Sequence, residues 1–173
     1  MVTDMNKIWE WITKIIYTCL GLIYKILGKE LTEEAFKNFM EFVRFGIVGV
    51  SNTVVNYVVY VLSLLVLRKF FHLPKMDYYI ATLIAFLLSV LWSYYWNSRM
   101  VFKLEQGEDR SWWRTLIITY ISYSFTGLFL NAVLLFLWVD ILHVSEFLAP
   151  ILNLLINVPI NFIINKFWAF KKR

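Results

Sequence analysis

Four asparagines, Asn153, Asn157, Asn161 and Asn165, recur at four-residue steps within the otherwise apolar stretch LAPILNLLINVPINFIINKFWAFKKR. On a helix this spacing stacks the amides into one stripe that drifts by about 40° per step. Each amide carries two donors and a carbonyl acceptor, and lipid satisfies none of them. The stripe must therefore face protein, water or a polar ligand. Pro159 interrupts the same helix and frees the carbonyl of Leu155 close to Asn157. Such a stripe recognises by hydrogen bonding and makes no covalent bonds. It also serves helix packing, since interhelical contacts of this kind contribute about 0.6–2 kcal/mol each. The two uses are compatible.

Bond-making chemistry has no comparable signal. The sequence holds no Gly-rich phosphate loop, acid pair, DxD-like sugar-nucleotide site or nucleophile–base constellation, so the expectation is that the protein is not an enzyme. A single cysteine, Cys19, excludes an intramolecular disulfide, and no CxxC or Cys/His cluster points to a metal or other cofactor. His72 and His143 are isolated and read as residues of the membrane surface.

The elements that carry the stripe are membrane spans. The 173 residues fit one domain; 60% are hydrophobic and the mean hydropathy is +0.64, well beyond a soluble chain. Apolar runs at 45–67, 79–96, 116–139 and 147–164 each approach the 17–25 residues a spanning helix requires. Before the first run lie Lys7, Lys14, Lys25, Lys29, Lys37 and Arg44. Between the second and third lie Arg99, Lys103, Arg110 and Arg114, and after the fourth Lys166, Lys171, Lys172 and Arg173. The other side holds only Arg68, Lys69 and Lys75. Fourteen cations against three predict cytoplasmic termini in a multi-pass plasma-membrane protein. The net charge of +5 thus reflects topology and not nucleic-acid binding. The spans lack Asp and Glu, which argues against a proton-driven exporter with a titratable carboxylate in mid-membrane.

Residues 1–39 form a separate interfacial region ahead of a transmembrane domain at 40–173. Lys7, Glu10, Lys14, Thr18, Gly21 and Lys25 recur at steps of three and four, with aromatic and aliphatic residues around the rest of the circumference. The pattern predicts an amphipathic helix lying in the membrane interface rather than a cleavable signal peptide. Gly28 is its expected stop. Thr32 is an expected N-cap, with Glu33 and Glu34 opening a short helix through Phe36, Phe39 and Phe42.

Two hairpins are suggested by an internal repeat. At a shift of 68, Asn97 falls on Asn165, Phe102 on Phe170 and Lys103 on Lys171, and the asparagine stripe falls on Ala85, Ser89, Ser93 and Asn97. At a shift of 75, Asn56 falls on Asn131. Two passes return the chain to its starting side, so the repeats are parallel. Small residues allow close approach, and the second and fourth spans are expected to meet along their two stripes. Gly46, Gly49 and Thr53 line the first span beside the polar row Asn52, Asn56 and Tyr60. Ser124, Gly127 and Asn131 mark the expected interior face of the third.

Arg44-Phe45-Gly46 with Gly49, the four spans, and the endings Asn97-Ser98-Arg99-Met100-Val101-Phe102 and Asn165-Lys166-Phe167-Trp168-Ala169-Phe170 resemble the GtrA-like family over residues 40–173. That family is also found as the membrane domain of some dolichol-phosphate mannose synthases. Its usual ending is Asn-Arg, an aromatic, then Phe; here Ser98 precedes Arg99, and Lys166 stands in the second copy. The resemblance implies an all-α integral membrane fold and a role in cell-surface polysaccharide or teichoic-acid glycosylation, in which members are proposed to flip polyprenyl-phosphate-linked sugars. On that expectation Arg44, Arg99 and Lys166 meet the lipid phosphate. Asn52, Asn56, Asn153, Asn157 and Asn161 replace water around the sugar. The same residues suit an alternative, a non-transporting scaffold that recruits a membrane glycosyltransferase, with the asparagines as packing contacts. Membrane lipids are partners under either reading, and a homodimer is compatible with the little volume four helices enclose.

Overall fold

The computed structural model describes residues 2–71, 76–104, 107–145 and 147–171, with side chains described for residues 10, 11 and 13 onward. His72, Lys75, Glu146, Lys172 and Arg173 lie outside the described residues, as does the lysine Lys7 as a side chain. Among the described residues the chain is helical between short connections, with no strand. It divides into two compact units, Met1–Glu41 and Phe42–Arg173.

In the first unit, α1 spans Val2–Ile26 and ends at Gly28, whose φ of +67° lies in the left-handed region that favours glycine. Trp11, Tyr17, Leu22, Ile23 and Ile26 of α1 are exposed, and Tyr17 meets Phe36 edge-on with ring centroids 5.0 Å apart. Thr32 caps the next helix: its Oγ1 accepts the backbone N–H of Ala35 at 3.2 Å. That helix, α2, runs unbroken over Glu33–Phe70. The expected short helix and the first span are therefore one element. No glycine or proline stands between residues 33 and 45 to stop it, and hydropathy marks where lipid begins, not where helix begins. At about 57 Å, α2 outruns the bilayer core of about 30 Å.

In the second unit, α3 covers Asp77–Trp96, α4 Trp112–Ser124, α5 Asn131–Phe136 and α6 Ala149–Ile164. α3 and α6 each continue into a π-helical turn, at Asn97–Val101 and Asn165–Ala169. Two more such turns, Phe125–Leu130 and Leu137–Ile141, join and extend α4 and α5 into a third span, Trp112–Ile141. Four helices are thus long and apolar enough to cross a membrane: Glu33–Phe70, Asp77–Val101, Trp112–Ile141 and Ala149–Ala169. Burial agrees with a lipid solvent. Asn97, Thr115, Thr119, Ser93, Asn153 and Asn165 are at most 2% exposed, whereas Val54, Leu62, Leu83, Phe129 and Leu155 point outward. In water this arrangement would be inverted; in lipid every polar group needs an internal partner. It is a membrane protein.

The two span endings share one local structure. Phe102 N–H donates to the Asn97 carbonyl and Phe170 N–H to that of Asn165, both at 2.8 Å. A turn closed five residues apart brings its first and last residues to one face, so Asn97 and Asn165 are buried together with Phe102 and Phe170. Phe102 stacks on Phe170 at 4.7 Å and on Phe162 at 5.9 Å; Phe45 packs edge-on against Phe162 at 5.4 Å. This aromatic cluster closes one end of the bundle.

Helix pairing differs from the expectation. The Ser89 side of α3 turns to α2, where Asn56 Nδ2 donates to Ser89 Oγ at 3.1 Å and Trp92 Nε1 to Ser51 Oγ at 3.1 Å. At the other end of the pair, Arg68 Nε donates to Asp77 Oδ2 at 2.7 Å. Asn153 of α6 turns to Asn131 of the third span. The two polar stripes therefore do not pair directly; residues of the third span come between them, because Tyr123 reaches across to Ser93. The interior face of the third span also shifts from the expected Ser124, which is only half-buried. It holds Thr115, Thr119, Ser122 and Thr126, each hydroxyl donating to the carbonyl four residues earlier. A hydroxyl satisfied within its own helix can be buried without a partner helix supplying a bond.

Candidate functional site

A cavity of 750 Å³ opens among three of the spans. α2 contributes Phe45, Gly46, Gly49, Val50, Asn52 and Thr53. The third span contributes Tyr123, Thr126, Gly127 and Asn131, and α6 contributes Leu154, Asn157, Val158 and Asn161. Glycine makes the room. A Cβ built on Gly46, Gly49 or Gly127 would meet nothing within 4 Å. Phe45 belongs to both the cavity wall and the aromatic cluster, so the two adjoin.

The lining is largely apolar, with uncharged polar side chains set into it and no charged residue among the described residues. Buried Oδ1 atoms of Asn52 and Asn157 have no hydrogen-bond partner. Asn157 Nδ2 makes only a long bond, 3.4 Å, to Asn131 Oδ1. Thr53 and Thr126 spend their hydroxyl protons on the carbonyls of Gly49 and Ser122, leaving oxygen lone pairs toward the cavity. Unpaired acceptors in lipid are costly, about 1–3 kcal/mol for each group left unsatisfied. The Oδ1 atoms of Asn97, Asn153 and Asn165 are in the same state, so unpaired acceptors mark the polar interior as a whole and not the cavity alone.

The candidate residues divide into two sets. Asn52, Asn131, Asn157 and Asn161 line the cavity. Asn153 is 2% exposed and donates to both the carbonyl and the Oδ1 of Asn131, at 3.0 and 2.7 Å. Asn165 is fully buried and donates to the carbonyl and Oδ1 of Asn161, at 2.8 and 2.9 Å. Asn56 and Ser89 bond each other across α2 and α3, and Asn97 Nδ2 donates to Ser93 Oγ at 3.1 Å. Of these last six, Asn153, Asn56, Ser89 and Ser93 bond across helices, whereas Asn165 and Asn97 donate within their own. Within one stripe, the middle two asparagines face the cavity and the outer two face protein.

Tyr123 was not legible as a site residue. Its hydroxyl pairs with Ser93 Oγ and lies beside the amides of Asn97 and Asn161. It thereby links α3, the third span and α6 at the cavity wall. In a sequence that is 19% aromatic, a tyrosine in an apolar run reads as a lipid-facing residue. The available signal was its place among Thr119, Ser122 and Thr126, at three- and four-residue spacing.

The cations do not enter the cavity. None of Arg44, Arg99 and Lys166 is among its lining residues. Arg99 is exposed with its guanidinium 4.7 Å over the Tyr95 ring, and Lys166 Nζ lies 5.6 Å from the Phe162 ring. Arg110 is more deeply placed. It donates to the Phe102 carbonyl at 2.9 Å and lies 4.9 Å over the Phe170 ring, tying the two span endings together. Burial lowers its pKa from the usual arginine value.

A family model described as the GtrA/DPMS transmembrane domain matches residues 44–170. The cell wall teichoic acid glycosylation protein GtcA of Listeria monocytogenes is 26% identical over 167 residues, covering 96% of this chain and 98% of that protein. The uncharacterised membrane protein YwcD of Bacillus subtilis is 29% identical over 126 residues, 73% of this chain and 93% of that one. No solved structure matches significantly. The matched region takes in the cavity, the aromatic cluster and both π-turn endings, and on that match the chain belongs to the GtrA/DPMS transmembrane-domain family.

Proposed function

We propose that the protein translocates a polyprenyl-phosphate-linked monosaccharide across the cytoplasmic membrane, supplying sugar for cell-wall or surface-polysaccharide glycosylation. The observation that carries this reading is the cavity between membrane spans, which no charged residue lines among the described residues and whose wall holds Asn52, Asn131, Asn157 and Asn161. Its volume falls in the roughly 300–1,000 Å³ range of small-molecule sites. A sugar entering lipid bare would lose several hydroxyl hydrogen bonds at once; the amides of Asn52, Asn157 and Asn161 replace them while the polyprenyl tail stays in lipid. The teichoic acid glycosylation role in the name of the Listeria relative supports the same direction. Among the described residues no carboxylate lines the cavity to couple movement to protons, and on this reading net flow follows the lipid-linked sugar gradient, maintained by consumption outside.

The test is translocation of a labelled polyprenyl phosphosugar in proteoliposomes that contain this chain and no glycosyltransferase. Protein-dependent movement supports the reading; its absence from correctly folded protein leaves a scaffold that recruits the transferase. The mechanism also requires cytoplasmic termini, so that the lipid phosphate meets cations on the side where the sugar is attached. In a Cys19→Ser background, Lys75→Cys should react with an impermeant thiol reagent from outside the cell, and Glu108→Cys only after permeabilisation. The reverse labelling would put the cation-rich end in the wrong leaflet and defeat the mechanism.

A further inference from the structure

At the end of the bundle where the second and fourth spans finish, three cations that the cavity does not use converge. Arg110, Arg114 and Lys171 line one cleft with Ser111, Thr115 and Trp168. No acid lines it. Glu108 lies near enough to Arg110 to be felt electrostatically, and Asp109 accepts the Arg110 backbone N–H. Like charges drawn together without an anion repel one another, and the neutral partners of Arg110, the Phe102 carbonyl and the Phe170 ring, do not cancel its charge. Burial disfavours the charged guanidinium, which an anion alongside would restore. Ser111 precedes α4 without a side-chain bond to that helix, so its hydroxyl is a donor on the same cleft.

We propose that this cleft binds a phosphoryl group. The enclosed space is about 10 Å³, room for one water-sized atom. A phosphate oxygen seats there while the remaining oxygens stay at the mouth. Two guanidinium forks beside an ammonium suit a tetrahedral oxyanion, because each fork takes two oxygens in one plane. A sugar is too large for the space and has no charge to satisfy the cations. The phosphoryl group comes either from a lipid head group or from free phosphate in solution, and the chemistry of recognition is the same for both.

The whole chain in detergent, followed by thermal unfolding, separates these sources. Inorganic phosphate should raise the Tm in a saturable way that sodium chloride at equal ionic strength does not reproduce. Arg114 and Lys171 are exposed and neither carries a described hydrogen bond, so Arg114→Gln and Lys171→Gln should fold as the parent does. Each should raise the half-saturating concentration about tenfold or more, as loss of one charge-assisted contact does. Dihexanoyl phosphatidic acid acting at a tenfold lower concentration than inorganic phosphate, with dihexanoyl phosphatidylcholine inert, identifies a lipid head group. Equal potency of the first two identifies free phosphate. Stabilisation matched by chloride, or retained in both glutamine variants, reduces the cluster to surface charge and overturns the proposal. None of these probes carries a sugar or a polyprenyl chain, so the result stands apart from the cavity reading.

Discussion

Phenylalanine introduced at Gly49 and Gly127 should block translocation while leaving the bundle at least as stable as the parent. These glycines face the cavity from α2 and the third span, and a Cβ at either meets nothing within 4 Å. Neither has positive φ, so a side chain brings no backbone strain. Replacing a helical glycine stabilises by about 0.5–1 kcal/mol through backbone entropy. The rings would cover Asn52 and Asn157 and replace acceptors with apolar surface. Withdrawing even one hydrogen bond from the moving sugar costs about 1.4 kcal/mol, so flipping in proteoliposomes should fall at least about tenfold. Unaltered flipping by the folded Gly49→Phe, Gly127→Phe double variant would mean that the substrate passes elsewhere.

Leucine substitutions along the asparagine stripe should separate packing from pathway within a single helix. Asn153→Leu removes two short hydrogen bonds to Asn131 from a buried position. Stability should drop by about 0.6–2 kcal/mol, while translocation per folded molecule stays near the parent value. The Asn157→Leu, Asn161→Leu double variant should do the opposite. Asn157 gives up only its 3.4 Å bond, and Asn165 keeps the Asn161 carbonyl at 2.8 Å after losing the Oδ1. Its flipping should nevertheless fall about tenfold or more in protein that remains folded, because two cavity amides are gone. Thermal unfolding and flipping measured on the same preparations decide the matter. Full transport by the folded double variant would end the pathway reading and favour the scaffold.

Much of the architecture follows from composition and local spacing. A run of about twenty apolar residues has one economical conformation in lipid, since only a helix satisfies its own backbone. The last three spans were therefore legible within about five residues, while the first began twelve residues earlier than its apolar run; Gly28 as a stop and Thr32 as a cap were legible because they depend on a turn or less of chain. The likeness of the two endings was legible for the same reason: the five-residue turns at Asn97 and Asn165 are local.

What each polar side chain faces was decided by tertiary structure. Four asparagines at four-residue steps spread over about 120° of helix surface, wide enough to meet both a neighbouring helix and an open cavity. Only the approach of Asn131 assigns Asn153 to packing and leaves Asn157 beside the space. Tyr123 gains its place because the third span passes between the stripes of α3 and α6, an order that periodicity does not encode. The cleft of Arg110, Arg114 and Lys171 joins residues about sixty positions apart. Charge counting places such cations on one side of a membrane; it takes the packing of Phe102 on Phe170 to bring them together.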